Sequence, residues 1–557
     1  MRAASPVRVD GVVRRVGTGA PSMSNGDGHS LAIVVFLVFV AVSLLMCGLA
    51  AADLDDPVHF YAGGSAAFGP VGSGLAIAGD YISAATLLST TGSVALDGVD
   101  GMLFACATVV SLYLVMRIMA EPLRRDGVFT LGDFFADRLG DVSVRRALGV
   151  AALVVLTPLL LVQLSTAGHI MVAMFGLPDG ALTGCTVAGG TLMVCYAAFG
   201  GMRGVGYVQV LKVGVVLIVV LLVAGLVLAR YGWSPAGLFD AARGRSEAGV
   251  DYARPGLHFG HSLAGRLDLI SFETTLLLGA ACLPHLTMRL HPLRDARTAR
   301  RAVGWAVGPV TVVCAAVVVA GLGACALIGR DALRAADPGG ATALLMLTGA
   351  LDPVAGGVRH SMVFAAVACA VFVTTLAAVA GITLAAASSL VRDFGGRSAH
   401  TAHRSPGGEI RRARIGIVLV GAAAVVLAVI VQDRGRLTMI SLSFTVAASV
   451  LAPVLLYALF LPGYTATGAR WTVYGTLPLI ALLLAGSPAV SGTPVALFPD
   501  RDFHWFPLQT PGLITITAGF LLGLIGRTRP EPPREPWHHG TEAVRRDTRS
   551  PDAAGRP

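Results

Sequence analysis

The chain has 557 residues, of which 55% are hydrophobic and 13% charged; soluble domains carry roughly 25% charged residues, so lipid is the solvent for most of this sequence. Its formal net charge is +9, but the arginines gather in connections between apolar runs, a pattern of membrane orientation that excludes a nucleic-acid footprint. The eight cysteines, at 47, 106, 185, 195, 282, 314, 325 and 369, lie within or beside apolar runs without C-x2-C spacing, which predicts buried thiols and speaks against a metal site or a disulfide framework.

Residues 1–30 read as an N-terminal tail in which Met23 is an alternative start that drops Arg2, Arg8, Arg14 and Arg15. The first apolar run is 31–51. Its end, "LMCGLAAADLDD", invites a cleavage reading at Cys47, yet about twenty apolar residues are long for a signal core, and a retained helix is expected. Twelve more runs follow, at 74–96, 102–119, 149–175, 181–199, 205–229, 267–290, 303–328, 361–390, 415–432, 437–461, 471–486 and 512–526. A crossing helix needs about 20 apolar residues, and only helices or closed barrels satisfy their backbones in lipid. The fold expected is an all-α polytopic membrane protein of about 13 transmembrane helices. Residues 74–461 form a ten-helix core, 471–526 add two C-terminal helices, and 527–557, rich in proline and charge, is a disordered tail.

Arginines concentrate in 120–147, 289–301, 391–414 and the C-terminal tail. Thirteen crossings put all four on one side, which the positive-inside rule makes cytoplasmic, with the N-terminus outside. The expected location is a bacterial inner (plasma) membrane.

Within the core, the first helix (74–96) carries "LAIAGDYISAAT" with Gly79 and Asp80 as an interruption. The sixth (267–290) carries Gly279 and Pro284 in "LLLGAACLPHLTMRL". Some transporters consist of two inverted repeats whose first helices break near the midplane, where ions and substrate bind; the two interruptions sit in matching helices of such a 5+5 arrangement. A carboxylate at the centre of a span costs about 2.5–3.5 kcal/mol on insertion scales and implies a partner. For Asp80 that partner is a cation, a proton or a basic group, or Asp80 is solvated near an interface. Ser83 is placed on the same helix face, and Thr86, Ser89 and Thr90 continue a hydroxyl track outward. On the eighth helix (361–390), Thr374, Ala378, Gly381, Ala385 and Ser388 form a stripe of small residues, which fits close helix packing and equally a face against the break. Lys212, the one lysine, opens the fifth helix near its cytoplasmic end, either snorkelling to the interface or pairing in an inner gate. His169 and Glu273 are read as packed polar groups or as lining of a water-filled path.

Five segments together resemble the sodium/solute symporter family, and within it the cation/acetate symporter (acetate permease) branch. They are "FYAGGSAAFGPVGSGLAIAGDYISAATLL", "LDGVDGMLF", "AAFGGMRGVGYVQVLK", "LPHLTMRLHPLRDARTARRAVGWAVG" and "VAGITLAAASSLVRDF", and the likeness runs in order over residues 57–465. It implies thirteen helices, a LeuT-type inverted-repeat core and secondary active transport. By position, the family's helix-1 aspartate falls on Asp80, and carbonyl ligands of the coupling ion fall near Ala78, Tyr81 and Thr374. The two hydroxyl ligands of the family's sodium site fall on Ala377 and Ala378, which have no hydroxyl. Either the register shifts to Thr374 or Thr375, or carbonyls hold sodium, or the coupling ion is a proton.

The function expected is cation-coupled symport of acetate or a similar short monocarboxylate by alternating access, without an organic cofactor and with the bilayer as surroundings. Another small solute (pyruvate, propionate, proline or a sugar) on the same fold is the alternative, and a non-transporting sensor a remote one. Paired carboxylates, a metal-ligand cluster and a nucleophile–base pair are missing from the spans, which disfavours an enzyme. Gly79, Ser83, Gly279, Pro284, Thr375 and Glu273 are the expected helix-break and path residues. Oligomeric state is not readable.

Overall fold

The computed structural model describes residues 27–51, 60, 69–124, 128–293, 295–352, 362–395, 406–432 and 434–527. The N-terminal arginines, Met23 and the tail from 528 onward lie outside them. The regular structure among the described residues is helical, with one isolated β-bridge, Ser491 to Phe498.

In chain order the principal helices are α1 (Asp27–Ala51), α2 (Gly69–Tyr81), α3 (Ala84–Asp97), α4 (Val99–Ala120), α5 (Leu131–Leu139), α6 (Val142–Phe175), α7 (Leu182–Arg230), α8 (Leu263–Gly279), α9 (Pro284–Thr287), α10 (Ala296–Ile328), α11 (Met362–Asp393), α12 (Pro406–Val431), α13 (Thr438–Phe460), α14 (Ala466–Ala485) and α15 (Gly512–Gly523). Each of the thirteen predicted runs contains helix. Among the described residues nine helices are long and apolar enough to cross a membrane unaided, and α2 with α3 make a tenth as a bent pair.

The 49 residues of α7 would reach about 74 Å as one straight helix, far more than the roughly 30 Å hydrocarbon core. They are divided at Gly201, whose φ of 54° and ψ of −163° are not helical. Only glycine reaches this backbone region cheaply, and a Cβ here would also meet Phe60 at 3.1 Å. The predicted runs 181–199 and 205–229 are the two limbs.

Two breaks depart from the sequence reading in detail. The first core helix bends by 55° between α2 and α3, at Ile82–Ser83 rather than at Gly79–Asp80. Ser83 starts the new helix: its hydroxyl accepts from the Thr86 amide while Thr86 returns its side chain to the Ser83 backbone, a reciprocal cap. Asp80 therefore lies in the last turn of α2 while Ser83 caps α3, and they do not share a helix face. In the sixth core helix, α8 stops at Gly279, residues 280–282 tighten into a 3-10 turn, and Leu283 is extended before Pro284 opens α9. Proline suits that first position because its missing N–H has no helical partner there.

The core gathers around α11, which packs along both α6 and α7. Its residues are buried almost throughout from Phe364 to Ser389, only Ala366 and Gly381 being half-buried. All eight cysteines are free, but two differ from the expectation: Cys106 is exposed and Cys195 half-buried, because each lies on a helix face that packs less closely.

Candidate ion and substrate site

A cavity of about 430 Å³ runs down to the two helix breaks. Its mouth lies near Asp97 and Asp100, where α3 passes to α4, and α4 then returns toward the arginine-rich connection at 121–147. The cavity therefore opens away from that connection. Ser83, Thr86, Ser89, Thr90 and Ser93 line one wall, so the predicted hydroxyl track exists and extends one turn further. Its floor includes Asp80, Tyr81, Ser83, His285 and Ala378, with Gln163 and Glu273 also lining it.

Asp80 is not a free carboxylate. Oδ1 accepts a 2.5 Å hydrogen bond from Gln209 Nε2, and Oδ2 pairs with Arg289. Both side chains of the pair are buried, and one partner alone would leave an uncompensated charge. Gln209 Nε2 also reaches the Ala377 carbonyl at 3.1 Å, which ties α7 to α11 behind the break. Gly381 of α11 faces the same carboxylate: a Cβ there would stand 3.2 Å from Asp80 Oδ1.

Lys212 corrects both readings of it. It is fully buried, and its ammonium donates to the carbonyls of Gly79 at 2.5 Å and Ile82 at 2.8 Å. It neither snorkels nor joins a gate ion pair, because the kink at Gly201 starts its limb earlier than the predicted 205. Counted from there, Lys212 lies about 15 Å along the helix, level with the break. Arg289 is likewise not a loop charge, since the chain after α9 turns back into the protein and buries it.

Other predicted residues are placed as follows. The Ala78 carbonyl accepts the Ile82 amide at 2.9 Å and the Tyr81 carbonyl accepts the Thr86 hydroxyl at 3.2 Å. The Tyr81 hydroxyl donates to Ser111 at 3.2 Å, and Ser111 accepts the Ala281 amide at 3.1 Å, joining the two broken helices. Thr374 and Thr375 are buried and return their hydroxyls to Ala370 and Phe372 of their own helix. Ala377 is buried, and Ala378 reaches the cavity. Glu273 lines the cavity with Oε1 unpartnered among the described residues. His169 is half-buried with Nδ1 near the Ser165 carbonyl of its own helix, and it is not among the cavity lining. Gln209 and His285 carry no signal in the sequence, and Arg289 reads there only as a loop charge; His285, directly after Pro284, is buried with Nδ1 unpartnered among the described residues.

Two polar clusters flank this centre. Toward the arginine-rich side, Asp133 of α5 pairs with Arg145 at 3.1 Å and Arg392 at 2.8 Å, and Arg392 also reaches Glu409 at 2.5 Å. At the mouth, His258 meets Asp97 at 2.9 Å while Asp100 accepts the amides of Gly256 and His258.

The family model described as sodium:solute symporter family matches residues 59–475. A monocarboxylic acid transporter of Corynebacterium glutamicum is 33% identical over 525 residues, covering 91% of this chain and 92% of that protein. An uncharacterised symporter, YwcA, of Bacillus subtilis is 32% identical over 89% of this chain and 93% of its own length. The solved structure of a Na+-coupled sialic acid symporter in a substrate-bound outward-open state superposes with a TM-score of 0.65 at 14% identity, covering 89% of this chain and 97% of that one. This likeness carries the fold, an all-helical LeuT-type transporter. Family and fold together make this chain a multi-pass membrane transporter of a small solute rather than an enzyme, and it belongs to the sodium:solute symporter family.

Proposed function

We propose that this protein is a cation-coupled symporter that carries acetate or another short-chain monocarboxylate into the cell by alternating access. The observation that carries the reading is the charge at the cavity floor. Asp80 lines the cavity floor, and behind it the buried Arg289 and Lys212 set two basic side chains against that one carboxylate. A monoanion balances that basic excess, and a neutral sugar or a zwitterion does not. The N-terminal end of α3 at Ser83 adds the positive end of a half-helix, the usual greeting for a carboxylate at a broken helix. His285 Nδ1, the Ser83 hydroxyl and Gln163 supply donors, and Ala378 and Ile382 of α11 supply an apolar wall for a short alkyl group. The name of the Corynebacterium glutamicum relative supports the same solute class.

In this reading residues 74–461 are the ten-helix core, with one helix before it and two after. The arginine-rich connections face the cytoplasm, the N-terminus lies outside, and the cavity is the outward-facing path. Asp80, with the neighbouring backbone of Ala78 and Tyr81 and the facing turn of Thr374, Ala377 and Ala378, is the coupling region. Gly79, Ser83, Thr375, Gly279, Pro284 and Glu273 shape the breaks and the path. The family description implies sodium as the coupling ion, with a proton as the alternative.

The test is initial uptake of labelled acetate by cells expressing the chain, with unlabelled propionate, pyruvate, proline or glucose as competitors. Competition by propionate and pyruvate but not by proline or glucose is expected. Absence of uptake, or competition by proline or glucose alone, sinks the monocarboxylate assignment.

A further inference from the structure

We propose that the Lys212 ammonium is a tethered cation standing where sodium would sit at the break in the first core helix, so that this transporter binds no sodium there and takes up its substrate without it. The inference rests on the symport reading above and deepens it by choosing between the two coupling ions.

Sodium, a hard cation, needs a cage of oxygen ligands. Around this break the oxygens are committed. The carbonyls of Gly79 and Ile82 accept the Lys212 ammonium at 2.5 and 2.8 Å, which leaves no room for an ion between them. The Ala377 carbonyl and Asp80 Oδ1 accept from Gln209, and Asp80 Oδ2 is held by Arg289. The facing turn of α11 offers the methyl groups of Ala377 and Ala378, and the hydroxyls of Thr374 and Thr375 point back to their own helix. One amide oxygen, Gln209 Oε1, is left without a partner among the described residues, and one oxygen is not a cage.

Charge argues the same way. The charged and titratable groups around Lys212 are Asp80 on α2 and, beyond the second break, His285 and Arg289. One carboxylate there faces two basic side chains. A further cation would be repelled in a poorly screened interior, whereas the substrate anion is attracted.

Side-chain choice is the second, independent observation. Every other basic residue among the 42 lysines and arginines is an arginine. A compact ammonium with three donors suits a space framed by two backbone carbonyls one turn apart better than the larger planar fork of a guanidinium. With sodium excluded, the proton is the remaining coupling ion.

The experiment uses the purified full chain in two forms. Reconstituted into liposomes, it is given labelled acetate and an imposed inward proton gradient, with sodium present or replaced by choline. In detergent, its Tm is followed as sodium chloride replaces choline chloride. The expected result is uptake indifferent to sodium and a Tm without a sodium-specific, saturable rise. In Lys212→Ala the carbonyls of Gly79 and Ile82 are released, and a sodium-specific rise in Tm that wild type lacks is expected. Three results overturn the proposal: a fall in wild-type uptake of about tenfold on removing sodium, the usual scale of coupling between two ligands; a saturable sodium-specific Tm rise in wild type; or a folded Lys212→Ala that gains no sodium response. Should that variant not fold, the two wild-type measurements still decide. Absence of acetate uptake in every condition, with a Tm indifferent to sodium, overturns the substrate reading and leaves the Lys212 assignment standing.

Discussion

Arg289 and Asp80, 209 residues apart in the chain, form a buried ion pair that joins the two broken helices of the core. Removing one partner from such a pair costs about 3–5 kcal/mol because the other charge is left stranded, whereas removing both is far milder. Asp80→Asn and Arg289→Gln should therefore each lower the Tm of the purified protein, and the double variant should lie above at least one single variant. Transport should be lost in all three, since the floor charge changes or its geometry does. A double variant as unstable as the sum of the singles would mean that the two side chains are not energetically coupled.

Asp133 holds two arginines from two other helices, Arg145 of α6 and Arg392 of α11. Thr130, one residue before α5, donates to Asp393 at 2.6 Å, so the same short helix is fastened to the end of α11 twice. This closure is built from the arginine-rich connections themselves, the segment 128–147 and the end of α11. Asp133→Asn should leave Arg145 without its carboxylate and Arg392 with Glu409 alone, and so loosen that face. A thiol introduced as Ser389→Cys, at a position now 2% exposed, should then react faster with a membrane-impermeant reagent added from the arginine-rich side. An unchanged rate would remove α5 from any gating role.

At the mouth, His258 is a loop residue just before α8. Burial pushes its imidazole pKa down, but the hydrogen bond it donates to Asp97 and the nearby carboxylates of Asp97, Asp100 and Asp268 outweigh it, and the net direction is upward. A histidine raised in the folded protein contributes stability that is fully present below its ordinary value of about 6.5 and is lost as pH rises through the folded value. The gap in Tm between wild type and His258→Gln should thus be widest near or below about pH 6 and close as the medium becomes alkaline. A gap that widens with pH would reverse the sign and place the neutral imidazole in the folded state.

Much of this architecture is legible in a one-dimensional reading, because lipid leaves a chain few choices. Apolar length marked the helices, and Gly279 with Pro284 marked the sixth-helix break, since a proline must begin a helix or kink it. The first break was placed two to three residues early: Gly79 looked like the interruption, but the reciprocal cap of Ser83 and Thr86 sets where the new helix starts. The partners of Asp80 were not legible, as they come from residues 209 and 289 and only folding brings them together. Arg289 read as the first charge of a loop because hydropathy reports where a span ends and not that the chain then turns inward. Lys212 did leave a signal. A lone lysine in a chain that otherwise uses arginine marks a place where shape, and not charge alone, selects the side chain.

The break in the sixth core helix also depends on close backbone approach. At Gly279 a Cβ would stand 2.5 Å from the carbonyl oxygen of Phe444 in α13, and a backbone oxygen fixed in a helix cannot yield as a flexible side-chain tip does. Overpacking of this kind costs about 1–3 kcal/mol. Gly279→Ala should therefore lower the Tm and impair uptake by pushing α8 and α13 apart just above the break. Gly214, midway along the second limb of α7, is the internal contrast: it is exposed and a Cβ there meets nothing within 4 Å. Alanine at an open helical position is favoured over glycine by about 0.5–1 kcal/mol, so Gly214→Ala should hold or raise the Tm with uptake intact. Equal effects from the two substitutions would mean that loss of glycine flexibility, and not contact with Phe444, sets the cost at Gly279.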